Sequence, residues 1–180
     1  MASLSPAAWI AHDVGLATAI GGTLFGREAL HPALREGIAD PVERDRIADT
    51  AWRKFSWVNL AAHTVMAATW FTGRTMLSGR EVNRTSRPLT IAKDALIVAS
   101  VATGVASVVL GRMLGKRVRQ RELQGQGIEQ RERAETLRRA VGTVGLANLA
   151  ANAAILGVTT ALAMQAAESP KFSFWSRLLP

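Results

Sequence analysis

The sequence predicts an all-α integral membrane protein: a four-helix bundle built from two tandem αα-hairpin repeats, with helical cytoplasmic extensions. Three observations predict it. Apolar residues gather in four blocks, at residues 7–26, 55–73, 95–111 and 140–167, while Arg, Asp and Glu crowd the segments between them. Within each block the apolar character runs all round the helix instead of along one stripe, which is the pattern of a membrane span. The pentad NLAAH at 59–63 recurs as NLAAN at 148–152, each time inside a block. At a rise of 1.5 Å per residue, about 20 apolar residues cross a hydrocarbon layer of about 30 Å. The third block reaches that length by extending back through Leu89, across Asp94 and Lys93. A soluble four-helix bundle is the competing architecture, favoured by a mean hydropathy of only +0.12. That average includes the charged connectors.

Taken in order, the first helix starts at Ser5-Pro6, where a hydroxyl caps free amides and proline occupies the first helical position. It is expected to run to about Leu30 and stop before His31-Pro32, because proline disfavours the helical conformation in the residue before it. Ala11, Gly15, Thr18, Gly22 and Gly26 give it a small-residue face, with a GxxxG at Gly22 and Gly26 that admits a close neighbour. Asp40-Pro41-Val42-Glu43 has the form of a capping box. The helix it opens meets no breaker before Gly73, so the charged stretch and the second span form one element. Residues 74–88 contain the loop. The third helix carries a second small face, Ser100, Gly104, Ser107 and Gly111, and continues as a basic extension to about Leu123. The break is at residues 124–127, after which a charged helix leads from Ile128 into the fourth span. Repeat one therefore covers 6–78 and repeat two 89–167, within a single domain of 1–180. The tail at 170–180, with KFSFWSRLL at 171–179, suits the headgroup layer, where Trp and Phe sit at the boundary and Lys or Arg reach water.

The location of charge orients the bundle. The formal net charge is +8, from 22 Lys and Arg against 14 Asp and Glu. Six basic residues lie between spans one and two and nine between spans three and four, against five in the middle loop and two in the tail. The positive-inside rule then places both large connectors in the cytoplasm and both termini outside, in a multi-pass protein of the cell (inner) membrane. The Arg-rich runs from Lys116 to Arg121 and from Arg131 to Arg139 match anionic lipid headgroups. A cytoplasmic partner is the other use for them. Nucleic acid is not expected, since Glu129, Glu132 and Glu135 dilute the second run. With no cysteine, disulfides and thiolate metal sites are excluded. The start, MASLSPAAW, lacks a basic n-region, so the first block is taken as a retained span.

The two hairpins align in order: LFGR at 24–27 with LGR at 110–112, Arg53-Lys54 with Arg138-Arg139, and then the pentads. Units that each cross twice are related by a pseudo-two-fold axis along the membrane normal. Residues four apart share a helix face, so Asn59 with His63, and Asn148 with Asn152, should turn toward that axis and one polar centre. An unpartnered amide in lipid costs several kcal/mol, which drives each of them inward.

The small-residue first helix, the turn Ala29-Leu30-His31-Pro32-Ala33-Leu34 and the charged approach to a second span resemble four-helix membrane proteins related to copper-resistance protein D and to anthrone-oxygenase-like proteins. The resemblance covers about the first 75 residues. It implies metal or haem handling, or chemistry on an aromatic lipid-soluble substrate, and transfers no catalytic signature.

Among candidate residues, His12 and His63 lie at similar expected depth on different helices. They are candidate axial ligands of haem b, or histidines that each hydrogen-bond a neighbouring helix. Asp13, Lys93 and Asp94 are charged residues at costly positions. An interhelical pair of Lys93 with Asp13 is one use for them, and a proton or cation path through Asp13, His12 and His63 is the other. Trp57 and Trp70 flank His63 as interface aromatics. Three functions follow: a small-molecule or haem-binding membrane protein centred on His12, His63, Asn59, Asn148 and Asn152; a transporter or channel subunit for a proton or small ion; or a structural accessory subunit of a larger membrane complex, with a homo-oligomer or such a complex as the assembly expected.

Overall fold

The structure, a computed structural model, describes residues 6–77, 87–124 and 128–167, and these are helical throughout apart from a connection at 38–40. Helix α1 (Pro6–Phe25) passes through a π-helical turn at Gly26–Leu30 into the short α2 (His31–Gly37). The long helices α3 (Pro41–Leu77), α4 (Arg87–Gln124) and α5 (Ile128–Ala167) follow. The tail at 170–180 lies outside the described residues, as do residues 125–127 of the expected break.

The first helix does not end before His31. His31 is itself helical, at φ −65° and ψ −43°, and its N–H bonds the Gly26 carbonyl five residues back. Widening the turn ahead of Pro32 relieves the clash that a proline ring makes with the carbonyl four residues earlier. The chain therefore stays helical to Gly37. At the next start, Asp40 caps α3 by accepting the Val42 N–H at 3.0 Å. Glu43 does not complete the box; it holds Arg46 in a two-pronged bond of 2.7 and 2.8 Å.

Helices α3, α4 and α5 contain 37, 38 and 40 residues. At 1.5 Å per residue they are about 55–60 Å long, roughly twice a hydrocarbon layer. Their charged parts extend beyond the bundle at one end, where Arg138 of α5 pairs with Asp45 of α3 and Gly115 of α4 lies against the Asp49 carboxylate. In the bundle α1 packs on α3, α3 on α4, α4 on α5 and α5 back on α1, closing a ring. Sequential neighbours run antiparallel: along α1, Gly15, Gly22 and Gly26 meet Ala62, Phe55 and Trp52 in turn.

The small faces do different work along their length. Among the described glycines of these faces, Gly15 is the one where backbone approaches backbone, with the Ala62 carbonyl oxygen 2.7 Å from where a Cβ would stand. Gly22 and Gly26 receive the rings of Phe55 and Trp52, and Gly104 receives the His63 imidazole. The GxxxG is thus a pair of sockets for aromatic side chains.

Polarity is inverted relative to a soluble bundle. Buried side chains include Lys93 and Asn152, both fully enclosed, with His12, His63, Ser100 and Asn148. Outside stand Ile10, Val14, Val58, Ile91, Val98 and Leu156, each about half exposed or more. Outward threonines on α1, α3 and α5 return their hydroxyls to the carbonyl four residues earlier, as Thr18, Thr64 and Thr160 do. That leaves no hydroxyl proton pointing away from the bundle at these positions.

Candidate functional site

The core of the bundle is arranged in layers, each fed by residues one or two turns apart on the helices. Toward the charged end lies a closed hydrogen-bond network. His63 Nδ1 donates to the Asn59 carbonyl at 2.8 Å, which fixes the lone pair on Nε2. The Asn148 amide nitrogen donates to that lone pair at 3.2 Å, across the diagonal from α5 to α3. The same nitrogen reaches the Ser100 carbonyl at 2.7 Å and Thr103 Oγ1 at 2.9 Å, so three acceptors share two hydrogens. Asn152 donates to the Asn148 carbonyl and to Asn148 Oδ1, at 2.9 and 3.0 Å, while its own oxygen accepts from Ser100 Oγ at 2.8 Å. Each helix of the trio α3, α4 and α5 supplies a polar residue. Gly104 makes the room, since a Cβ there would stand 3.3 Å from His63 Nε2.

Above this network sits an apolar layer one side chain thick. Leu16, Met66, Ile97 and Ile155, one from each of α1, α3, α4 and α5, pack together with 1% exposure or less. Helical spacing dictates it. Met66 follows His63 by three residues, Ile155 follows Asn152 by three, Ile97 precedes Ser100 by three and Leu16 follows His12 by four, so these side chains share a face with the polar residues but lie one turn along the axis.

A second polar layer lies on the far side. His12 Nδ1 donates to the Met66 carbonyl at 3.0 Å, leaving its Nε2 lone pair buried without a hydrogen-bond partner. Lys93 is fully buried. Its ammonium sits 4.0 Å from the Trp70 ring centre and 5.6 Å from that of Trp9, and Nζ has no hydrogen-bond acceptor. The same two indoles flank His12, at centroid separations of 6.2 and 6.3 Å. Trp70 Nε1 donates to Asp94 at 2.8 Å, pinning the ring. A space of about 10 Å³ lined by Ala8, Trp9, His12, Thr69 and Trp70 opens beside the imidazole.

The pentads do meet, through His63 and Asn148. Their four polar side chains do not all join, however. Asn59 contributes its backbone carbonyl, and its Oδ1 is buried without a partner. His12 does not converge with His63, because the apolar layer separates them. Asp13 is exposed, and the Lys93 ammonium turns inward to the indoles without making a contact ion pair with it. Asp94 serves Trp70. Of the basic runs, Lys116, Arg117, Arg133, Arg138 and Arg139 are exposed, with Arg138 tied to Asp45 and Arg139 to Glu135; the side chains of Arg119, Arg121 and Arg131 lie outside those described.

A haem between His12 and His63 does not fit this packing. His63 Nε2 is occupied by Asn148, and the room beside His12 matches a single water. Among the described residues no group of three or more His, Asp or Glu is placed to hold a metal ion. Sequence reasoning passed over Ser100, Thr103 and Trp9 as site residues. Ser100 had the available signal, lying seven residues after Lys93 and four before Gly104 on one face of α4. No protein-family model, curated protein or solved structure matches this chain.

Proposed function

We propose that this chain is a multi-pass membrane protein whose four-helix core handles a proton or a single small ion. The observation that carries the membrane assignment is the inverted polarity: lysine, histidine and asparagine inside, with isoleucine, valine and leucine outside on every long helix. In water that arrangement exposes apolar area and buries groups that water would solvate, whereas in lipid it is the favourable one. Two segments, Arg87–Arg117 and Glu135–Gln165, are also long and apolar enough to cross by length and composition. The basic extensions then lie in the cytoplasm against anionic headgroups.

The division of the core into two polar layers with a thin apolar layer between them supports ion handling over storage of an organic ligand. Apolar constrictions between polar chambers oppose charge movement until they wet or shift. The space available beside His12 suits a water-sized species. Reconstitution into liposomes containing a pH-sensitive dye tests this. With a valinomycin-clamped potassium gradient, wild-type protein should acidify or alkalinise the lumen faster than empty vesicles, and Lys93→Met should slow it. Folded, correctly inserted protein that leaves the rate at the empty-vesicle value removes the transport function. Monodisperse behaviour in buffer without detergent removes the membrane assignment as well.

A further inference from the structure

We propose that His12 and Lys93 form a single proton-binding site in the Trp9–Trp70 cage, their nitrogens joined by one water-sized protic molecule. This rests on the proton reading above for its purpose, though not for its geometry.

The two groups are complementary in what they lack. Among the described residues, Lys93 Nζ has hydrogens and no acceptor, and His12 Nε2 has a lone pair and no donor. Both residues are more than nine-tenths buried. The His12 tautomer is fixed, because the Met66 carbonyl accepts only a hydrogen and thereby holds it on Nδ1. Both groups face the same two indoles, and those indoles, with Ala8, His12 and Thr69, line a space beside the imidazole that has the volume of one water. A molecule there accepts a hydrogen from the ammonium and gives one of its own to Nε2.

That geometry permits a balanced exchange. A proton leaves Nζ for the bridging oxygen as a hydrogen on that oxygen passes to Nε2, giving neutral amine and imidazolium with the bridge unchanged. The cage carries one positive charge in either arrangement, and the indole faces stabilise it. A second proton would place two cations in one enclosed space, so the pair loads and releases one.

The remaining charged neighbours are few. On α1 the other ionisable group is Asp13, exposed; on α4 Asp94, bonded to Trp70, is adjacent to Lys93, with Arg87 six residues before Lys93 and Arg112 far along the helix. Helix α3 offers only His63 between residues 55 and 73, beyond the apolar layer, and α5 has no ionisable residue from 140 to 165.

The test is a pH titration of the full chain in nanodiscs, with its five tryptophans replaced by 5-fluorotryptophan and the ¹⁹F signals assigned by single Trp→Phe variants. The Trp9 and Trp70 signals should shift together, once, with a common midpoint. In Lys93→Met, whose apolar side chain suits the same burial, and separately in His12→Gln, that common transition should move by tenfold or more in proton affinity or disappear, while the Trp52 signal keeps its wild-type titration. An unmoved Trp9 and Trp70 across pH 5 to 10, two separate midpoints, or a transition indifferent to either substitution would overturn the shared site. The titration needs no transport, so its failure and the failure of vesicle flux are separate results.

Discussion

At the scale of single residues the two buried asparagines of similar setting have opposite energetic roles. Asn148 satisfies three acceptors on two other helices, α3 and α4, while the side-chain oxygen of Asn59 has no partner. Replacing Asn148 with Leu strands its partners, at about 1–3 kcal/mol for each buried group left unpaired. Asn59→Leu removes an unpaired oxygen and should be neutral or stabilising. Thermal unfolding in detergent, followed by circular dichroism, should show Asn148→Leu melting well below wild type and Asn59→Leu at or above it. Equal losses would mean that the network is not the one described.

His31, beyond the apolar block of the first helix, gives a pH dependence of known sign. Trp52 Nε1 donates to its Nε2 at 3.2 Å, which requires a neutral ring. Burial, and then the nearby Arg35 guanidinium, hold the imidazole below its usual value of 6.5, with Asp45 pulling the other way. The folded state thus binds the proton less readily than the unfolded one. The contribution is complete above the unfolded value and is lost as pH falls through the lower folded value. Melting temperature should therefore drop between pH 7 and pH 5, and His31→Gln should flatten that part of the curve.

At the scale of elements, what packs against a glycine decides its worth. Gly15→Val forces α1 away from the Ala62 backbone and should cost about 1–3 kcal/mol as overpacking. Gly157→Val, with nothing within 4 Å of its missing Cβ, adds only an outward branched side chain. Comparing the two melting temperatures separates a helix contact from a mere change of propensity. The helices themselves were largely legible in the sequence. The Asp40-Pro41 start, the uninterrupted run through the second apolar block and the onset of α5 at Ile128 all follow from caps and the absence of breakers. The passage through His31-Pro32 was not legible. Proline's local preference argues for a stop there, and a π turn that accommodates it has no sequence periodicity of its own.

At the scale of the whole molecule the layered interior is the feature that governs behaviour. Ile97→Ser opens the apolar layer to hydrogen-bonding groups above and below it. In the liposome assay it should raise proton leak above wild type while also lowering stability, since a fully buried branched side chain is lost. A tight, stable Ile97→Ser would deny the layer any role in separating the two polar groups. The candidate site was visible in part. His63, Asn148 and Asn152 announce themselves because polar residues four apart inside an apolar block have nowhere favourable to point except inward. Asn59 obeyed the same rule, yet its side-chain oxygen is buried without a hydrogen-bond partner.

Residue order alone therefore determined the helical class, the four apolar blocks, most helix limits and the inward bias of the buried polar residues, since each depends on local spacing and on the cost of desolvating polar groups. Which inward residues touch was decided by tertiary packing. Helix rotation and axial offset, set by contacts such as Gly15 on Ala62 and Gly104 around His63, put His12 with Lys93 and His63 with Asn148. They also slipped four apolar side chains between the two pairs. Spacing along one helix fixes which face a side chain takes; its depth relative to a neighbouring helix depends on a contact between chain segments far apart in sequence.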